Sequence, residues 1–131
     1  MRIYTVEQLN ELSHRIIGAA MEVHKTLGPG LLEVVYEDCL IVELQQRGIK
    51  VQRQVERPII YKGTEVGHPL RIDMLVEDCI IVELKTVSEL LDLHTAQLLS
   101  YLKLSSLKLG LLINFNSVLL QDGLRRVVNG L

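Results

Sequence analysis

Asp73, Glu83, Lys85 and Glu33 are the residues whose types and spacing can do chemistry in this chain. Asp73 lies in His68-Pro-Leu-Arg-Ile-Asp-Met-Leu-Val76, and the next two in Cys79-Ile-Ile-Val-Glu-Leu-Lys85. Both segments are rich in Ile, Val and Leu and are separated by the polar pair Glu77-Asp78, which reads as two β-strands joined by a turn. A hairpin there brings Asp73 roughly opposite Glu83. Side chains alternate along a strand, so Glu83 and Lys85 share one face while Val82 and Leu84 take the other. Two carboxylates and an ammonium then converge on an apolar hairpin, where isolated charge is costly and must be paired, solvated or metal-bound. Hard oxygen donors of this kind suit Mg²⁺ or Mn²⁺. A salt bridge of Glu83 with Lys85 on a solvent face is the plainer alternative. The apolar run before Glu83 and the acid on the partner strand weigh against it.

Helices and strands must position these groups. Thr5 begins a first helix, with Gln8 completing a capping box, and Leu9, Leu12, Ile16, Ala20, Val23 and Leu27 form its buried stripe. Gly28-Pro29-Gly30 ends it. A second helix is expected from about Leu31 to Arg47, stopped at Gly48. Glu33, Tyr36, Glu37 and Leu40 share one face of it, which should look toward the sheet edge bearing Asp73 and Glu83. From Ile49 the period becomes two, with Val51, Arg53 and Val55 alternating and Pro58 to Tyr61 continuing as an extended or edge segment. Lys62 to Gly67 reads as a turn. Ser88 is the expected N-cap of a third helix reaching about Leu104. Leu107 to Phe115 is nearly all apolar, as a central strand should be, and Val118 to Val128 forms a last short strand or helical turn. This order predicts an α/β fold, a mixed central β-sheet flanked by α-helices, in a single domain over residues 1–131.

Asp73 followed by Glu83-Leu84-Lys85 resembles the active-site motif of the PD-(D/E)XK nuclease superfamily. Gly30-Leu31-Leu32-Glu33-Val34-Val35-Tyr36 is similar to the Gly-x-x-Glu-x-x-Tyr signature of a small prokaryotic family within it. Gln97-Leu98-Leu99-Ser100-Tyr101 resembles the Gln-x-x-x-Tyr element that follows the catalytic lysine in the branch containing RecB-type nucleases. The likeness runs from about Gly28 to Asn129. It implies a restriction-endonuclease-like core and metal-assisted hydrolysis of a phosphodiester, in DNA first, with RNA as an alternative. By resemblance Asp73, Glu83, the Leu84 backbone carbonyl and Glu33 hold Mg²⁺ or Mn²⁺, and Lys85 stabilises charge. Gln97 and Tyr101 position a phosphate or a metal-bound water. Read on their own, Gln97 and Tyr101 are equally a partly buried polar pair capping the core. Tyr36 reads as a packing residue whose hydroxyl finds a buried acceptor, His94 equally as a helix-end histidine or a residue touching the site, and Asn114-Phe115 as packing and strand termination.

Composition bounds the rest. Of 131 residues, 48% are hydrophobic, which excludes a disordered chain. No apolar run approaches the ~20 residues of a membrane helix. The acidic, amphipathic start from Met1 to Gln8 does not read as a signal peptide. Cys39 and Cys79 lie in apolar segments without zinc-type spacing, as buried thiols of a cytoplasmic protein do. The net charge of −2 argues against tight duplex binding, since DNA binders usually carry a basic excess. Basic residues are dispersed, apart from Arg125-Arg126 and the set Arg47, Lys50, Arg53 and Arg57. High apolar content in a small chain suggests a homodimer. The competing function is a non-catalytic module, binding nucleic acid or protein within a repair or defence assembly.

Overall fold

A computed structural model describes residues 3–131. The Thr5 hydroxyl accepts from the Gln8 amide at 3.1 Å, and the Gln8 side chain accepts from the Thr5 amide at 2.9 Å. This capping box opens helix α1 (Val6–Leu27), whose apolar stripe is buried as its spacing requires. Gly28 and Gly30, with φ of +73° and +100°, turn the chain into helix α2 (Glu33–Gln46). Tyr36 pins that turn. Its hydroxyl donates to the Gly28 carbonyl at 2.5 Å and accepts from the Leu31 amide at 3.1 Å. The ring, fully buried, stacks on Phe115 with centroids 4.6 Å apart. Because the Leu31 amide is held by the tyrosine, the helix begins at Glu33, two residues after the expected Leu31.

The strands in chain order are β1 (Val51–Arg57), β2 (Ile60–Tyr61), β3 (Thr64–Glu65), β4 (Leu70–Val76), β5 (Ile80–Lys85), β6 (Leu109–Asn114) and β7 (Leu124–Val128). The main sheet has the order β1-β4-β5-β6-β7. Its β5 and β6 pair in parallel, joined through helix α3 (Asp92–Ser105), and every other neighbour is antiparallel. The mixed sheet is sandwiched: one apolar cluster joins it to α1 and α2, and a second joins it to α3.

Two connections differ from the sequence expectation, and a third combines the two forms it allowed. Residues 62–67 are not a simple turn: β2 and β3 pair as a separate two-stranded ribbon. Lys62 and Gly63 adopt φ of +49° and +81° at its tip, the left-handed pair that a tight hairpin needs. Helix α3 starts at Asp92, four residues beyond the expected N-cap Ser88. The segment before it is tied back to the end of β6, where the Asn114 side chain accepts from the Val87 amide at 3.1 Å and donates to the Val87 carbonyl at 2.9 Å. His94 caps the helix instead, its Nδ1 accepting from the Leu91 amide at 3.0 Å. The last segment contains both forms considered, a 3₁₀ turn (Leu120–Gly123) followed by β7.

A slip in alternation shapes the β1–β4 pair. Met74 and Val76 pack in the layer under α1 and α2, while Leu70, Ile72 and Leu75 pack under α3. Ile72 and Leu75 share a layer although three positions apart, so the strand carries one extra residue at Asp73. On β1, Val51 and Val55 likewise pack in opposite layers although four apart. The register places Gln54 opposite Asp73, and Gln54 has a φ of +50°. The pair therefore keeps its register but rolls at that rung, carrying its outer half onto the α3 face.

The Tyr36 hydroxyl supports a prediction. Tyr36→Phe keeps the stacked ring but leaves the Gly28 carbonyl and the Leu31 amide without their partner. Stability should fall by about 1–3 kcal/mol, read as a lower urea midpoint at unchanged slope. An unchanged midpoint would show that the hydroxyl is not the pin.

Candidate active site

The roll at Asp73 opens a gap beside β5. The β4–β5 ladder ends at Met74 opposite Val82, and the same register continued one step sets Asp73 across from Glu83. Lys85 O accepts from the Phe115 amide at 2.9 Å, so that carbonyl faces β6. Successive carbonyls along a strand point to opposite edges, which turns the Leu84 carbonyl toward the side where β4 has stopped pairing. Leu84 itself packs its side chain under α1 and α2, and alternation puts Glu83 and Lys85 on the α3 side.

Glu83 is the exceptional residue. It is only 6% exposed, and its Oε1 is buried without a hydrogen-bond partner. Its pKa is pushed up to about 7, chiefly by burial and then by the negative charge of Asp73; Lys85 opposes both, while Glu33 and Glu37 add smaller repulsions. Glu33, at the first position of α2, is exposed and also titrates above the ordinary carboxylate range. Partial desolvation is the main cause, Lys85 works against it, and Asp73 and Glu37 reinforce it. Glu33, Asp73, Glu83 and Lys85 thus feel one another across three elements, α2, β4 and β5.

The remaining residues divide. Gln97 donates to the Tyr101 hydroxyl at 3.2 Å, and the Tyr101 ring packs against the α3-side core. The two therefore meet each other, while Gln97 is exposed and the unbonded Glu83 oxygen takes nothing from either. Glu37, half-buried and with an Oε1 that likewise makes no hydrogen bond, lies 3.5 Å from the Arg53 guanidinium, which also bonds Asp38 at 2.7 Å. Two contributors escaped the sequence reading. Gln54 is polar in a strand and gives no sign of facing Asp73. Asn114, read as packing, uses its amide to fix the segment that follows Lys85, and a buried amide at the end of an apolar strand was the available signal.

Among the described residues, no three His, Cys, Asp or Glu side chains form a set able to hold a metal ion. The ligand set Asp73, Glu83 and Glu33 expected from the sequence is not assembled as such. The donor chemistry nevertheless fits a hard divalent cation. A buried carboxylate oxygen lacks any partner, like charges crowd it, and a backbone carbonyl turns to the same gap.

Glu83 fixes the sign of a pH effect. Its pKa is raised in the folded state, so its favourable contribution is complete below about pH 4.5 and is lost as pH rises toward about 7. Without divalent metal, the melting temperature should drop by roughly 5 °C or more between pH 5 and pH 7.5. Glu83→Gln should flatten that slope. Parallel profiles for the two proteins would mean that Glu83 does not carry the strain.

The comparisons with known proteins bear on this geometry. A family model described as the PD-(D/E)XK nuclease superfamily matches residues 10–127, which takes in α2, the five-stranded sheet and α3. Comparison with curated proteins and with solved structures found no match. The match covers most of the chain and includes both strands of the Asp73–Glu83 hairpin, so this protein belongs to the PD-(D/E)XK nuclease superfamily.

Proposed function

We propose that the protein is a metal-dependent nuclease that hydrolyses phosphodiester bonds, with DNA as its first substrate class and Mg²⁺ or Mn²⁺ as cofactor. One observation carries this reading: Glu83 is buried, unbonded and crowded by like charge two residues before Lys85, in a chain of this superfamily. A structural carboxylate would be expected to find a partner, since an orphaned buried acceptor costs stability. Strain of this kind is characteristic of sites that await a ligand.

Asp73, Glu83 and the Leu84 carbonyl would hold the ion, with Glu33 reaching it directly or through water. When bound, the cation supplies Lewis-acid polarisation of the phosphoryl oxygen and a lowered pKa for a coordinated water. Lys85, on the Glu83 face of β5, would hold the attacking water and stabilise the charge growing on the phosphoryl oxygens. Its role is electrostatic. Gln97 and Tyr101 would orient a non-bridging oxygen or a water from the α3 side. The reading extends to the Gly-x-x-Glu-x-x-Tyr family, to the cytoplasm, and to a homodimer that covers exposed apolar residues such as Leu32, Leu93 and Val118.

A second reading has one observation in its favour. The three carboxylates do not stand as a ligand set among the described residues, as in a nucleic-acid- or protein-binding module that kept only the fold.

Asp73→Asn separates the two. In the nuclease it abolishes cleavage of labelled single-stranded, duplex, flap and junction DNAs and RNA in Mg²⁺ or Mn²⁺. It also raises the metal-free melting temperature by relieving repulsion on Glu83. Saturating Mg²⁺ should stabilise the wild type by about 2.7 kcal/mol at a hundredfold excess over its Kd, and the mutant far less. Equal metal-induced shifts would remove Asp73 from the ligand set, and wild type without activity or metal response would favour the binding module.

A further inference from the structure

A second polar crevice lies beside the proposed site, at the carboxyl ends of β5 and β6. Ligands of open α/β sheets bind outside such ends, where the two following loops separate. This crevice, about 420 Å³, is lined from the loop after β5 by Ser88 and Glu89, from the loop after β6 by Ser117, and from the approach to β7 by Asp122 and Arg125. Its walls are fixed. Asn114 clasps Val87 on one side. On the other, Gly123 approaches so closely that a Cβ there would stand 2.6 Å from the Asn114 carbonyl and 2.4 Å from Ser117 Oγ.

The register ties this crevice to the chemistry. Glu83 pairs with Leu112, and Leu112 pairs with Arg125, so Glu83 and Arg125 occupy the same rung of the sheet. Leu112 and Val127 both pack under α3, and alternation from Val127 places Arg125 on that same face. Two strand spacings, about 10 Å, separate the Glu83 and Arg125 backbones.

Among the described residues, Arg125 has no acidic partner. Arg47 is paired with Glu43, Arg53 with Glu37 and Asp38, and Arg71 with Glu56. The Arg125 guanidinium bonds only the Asp122 and Leu124 carbonyls, at 3.4 and 3.0 Å, both through one nitrogen. Its fork remains open, and the Ser88 and Ser117 hydroxyls make no hydrogen bond among the described residues.

We propose that Arg125, with the Ser88 and Ser117 hydroxyls, forms a phosphate subsite that holds the nucleic-acid strand one step beyond the scissile bond. This rests on the nuclease reading for the substrate, and the subsite itself rests on the crevice. A planar fork with neighbouring hydroxyl donors matches phosphate oxygens. Glu89 and Asp122 line the same crevice and repel an anion, so the subsite binds free phosphate weakly and works on a phosphate tethered to the reacting one. Arg125 is a binding and positioning residue here, since it touches no reacting atom.

The test uses two probes on the full chain. Inorganic phosphate titrated against ¹⁵N-labelled protein should shift the Arg125 Nε–H signal, and Glu89→Gln should strengthen that binding by removing repulsion. With a labelled oligothymidylate, Arg125→Ala should raise KM and the metal-free Kd about tenfold, the worth of one charge-assisted contact. Arg125→Lys should fall between, keeping the charge and losing the fork. A phosphate-induced shift in a protein that cleaves nothing would sink the nuclease reading and leave the subsite standing. Cleavage by wild type with an unchanged KM and Kd in Arg125→Ala would overturn the subsite and leave the nuclease. An Arg125 signal that ignores phosphate also overturns it.

Discussion

A buried carboxylate in the middle of a sheet is the constraint on which the rest of this structure turns. Glu83 stands at the point where β4 stops pairing with β5, and its neighbours in the ladder are Val82, Leu84 and Leu112, all buried. An ionised group in that position has lost most of its water, and Asp73 and Glu33 make matters worse. The fold tolerates it because of the roll at Gln54 and Asp73. Without the extra residue in each strand, β4 would continue its ladder past Val82 and seal the edge of β5. The slip exposes that edge, turns the outer hairpin onto α3, and opens the gap beside the carboxylate. A left-handed Gln54 is the conformational cost of doing so, and strained backbone beside an acidic cluster is a recognised mark of a working site.

The surrounding core holds this arrangement in place through a few polar ties. Tyr36 and Phe115 stack at the meeting of the α1–α2 turn with the end of β6, which sets where α2 begins and hence where Glu33 stands. Asn114, one residue before Phe115, ties the segment after Lys85 to the end of β6. Two adjacent residues therefore position both of the loops that flank the carboxylates. The glycines and the tyrosine of Gly30 to Tyr36 belong to the same device: glycine allows the turn, tyrosine locks it, and glutamate is presented by the first position of the helix.

Much of this was legible in the sequence, for identifiable reasons. The capping box at Thr5, the stripe of α1, the Glu77-Asp78 hairpin and the apolar β6 are encoded by neighbours in the chain, so local rules find them. So are the alternation of Glu83 and Lys85 and the packing role of Tyr36. The start of α3 was missed because its first turn is closed by the His94 ring on the Leu91 amide, whereas Ser88 is the residue with a familiar capping side chain. The β2–β3 ribbon was missed because its strands are two residues each, too short for any period to show. The slip at Asp73 is invisible for a subtler reason. Val51 to Val55 and Leu70 to Val76 still read as ordinary strand, and only the packing of each layer reveals that the two ends of a strand face opposite ways.

Charge gives the last step. A chain of net charge −2 is poorly suited to a polyanion if charge is read as a sum. Read by position, the sum is misleading. Arg47, just after α2, and Arg53 of β1 are paired with acids of α2, where exposed pairs add little to stability but cancel the field. Glu33, Asp73 and Glu83 lie within reach of one another's charge, with Lys85 among them. In that state the gap repels phosphate as well as straining the sheet. One divalent cation would reverse both effects at once, relieving Glu83 and turning a repulsive patch into an attractive one. On the proposed function, the same charges that strain the metal-free fold would make phosphate binding conditional on the ion, coupling substrate engagement to cofactor occupancy without any moving part.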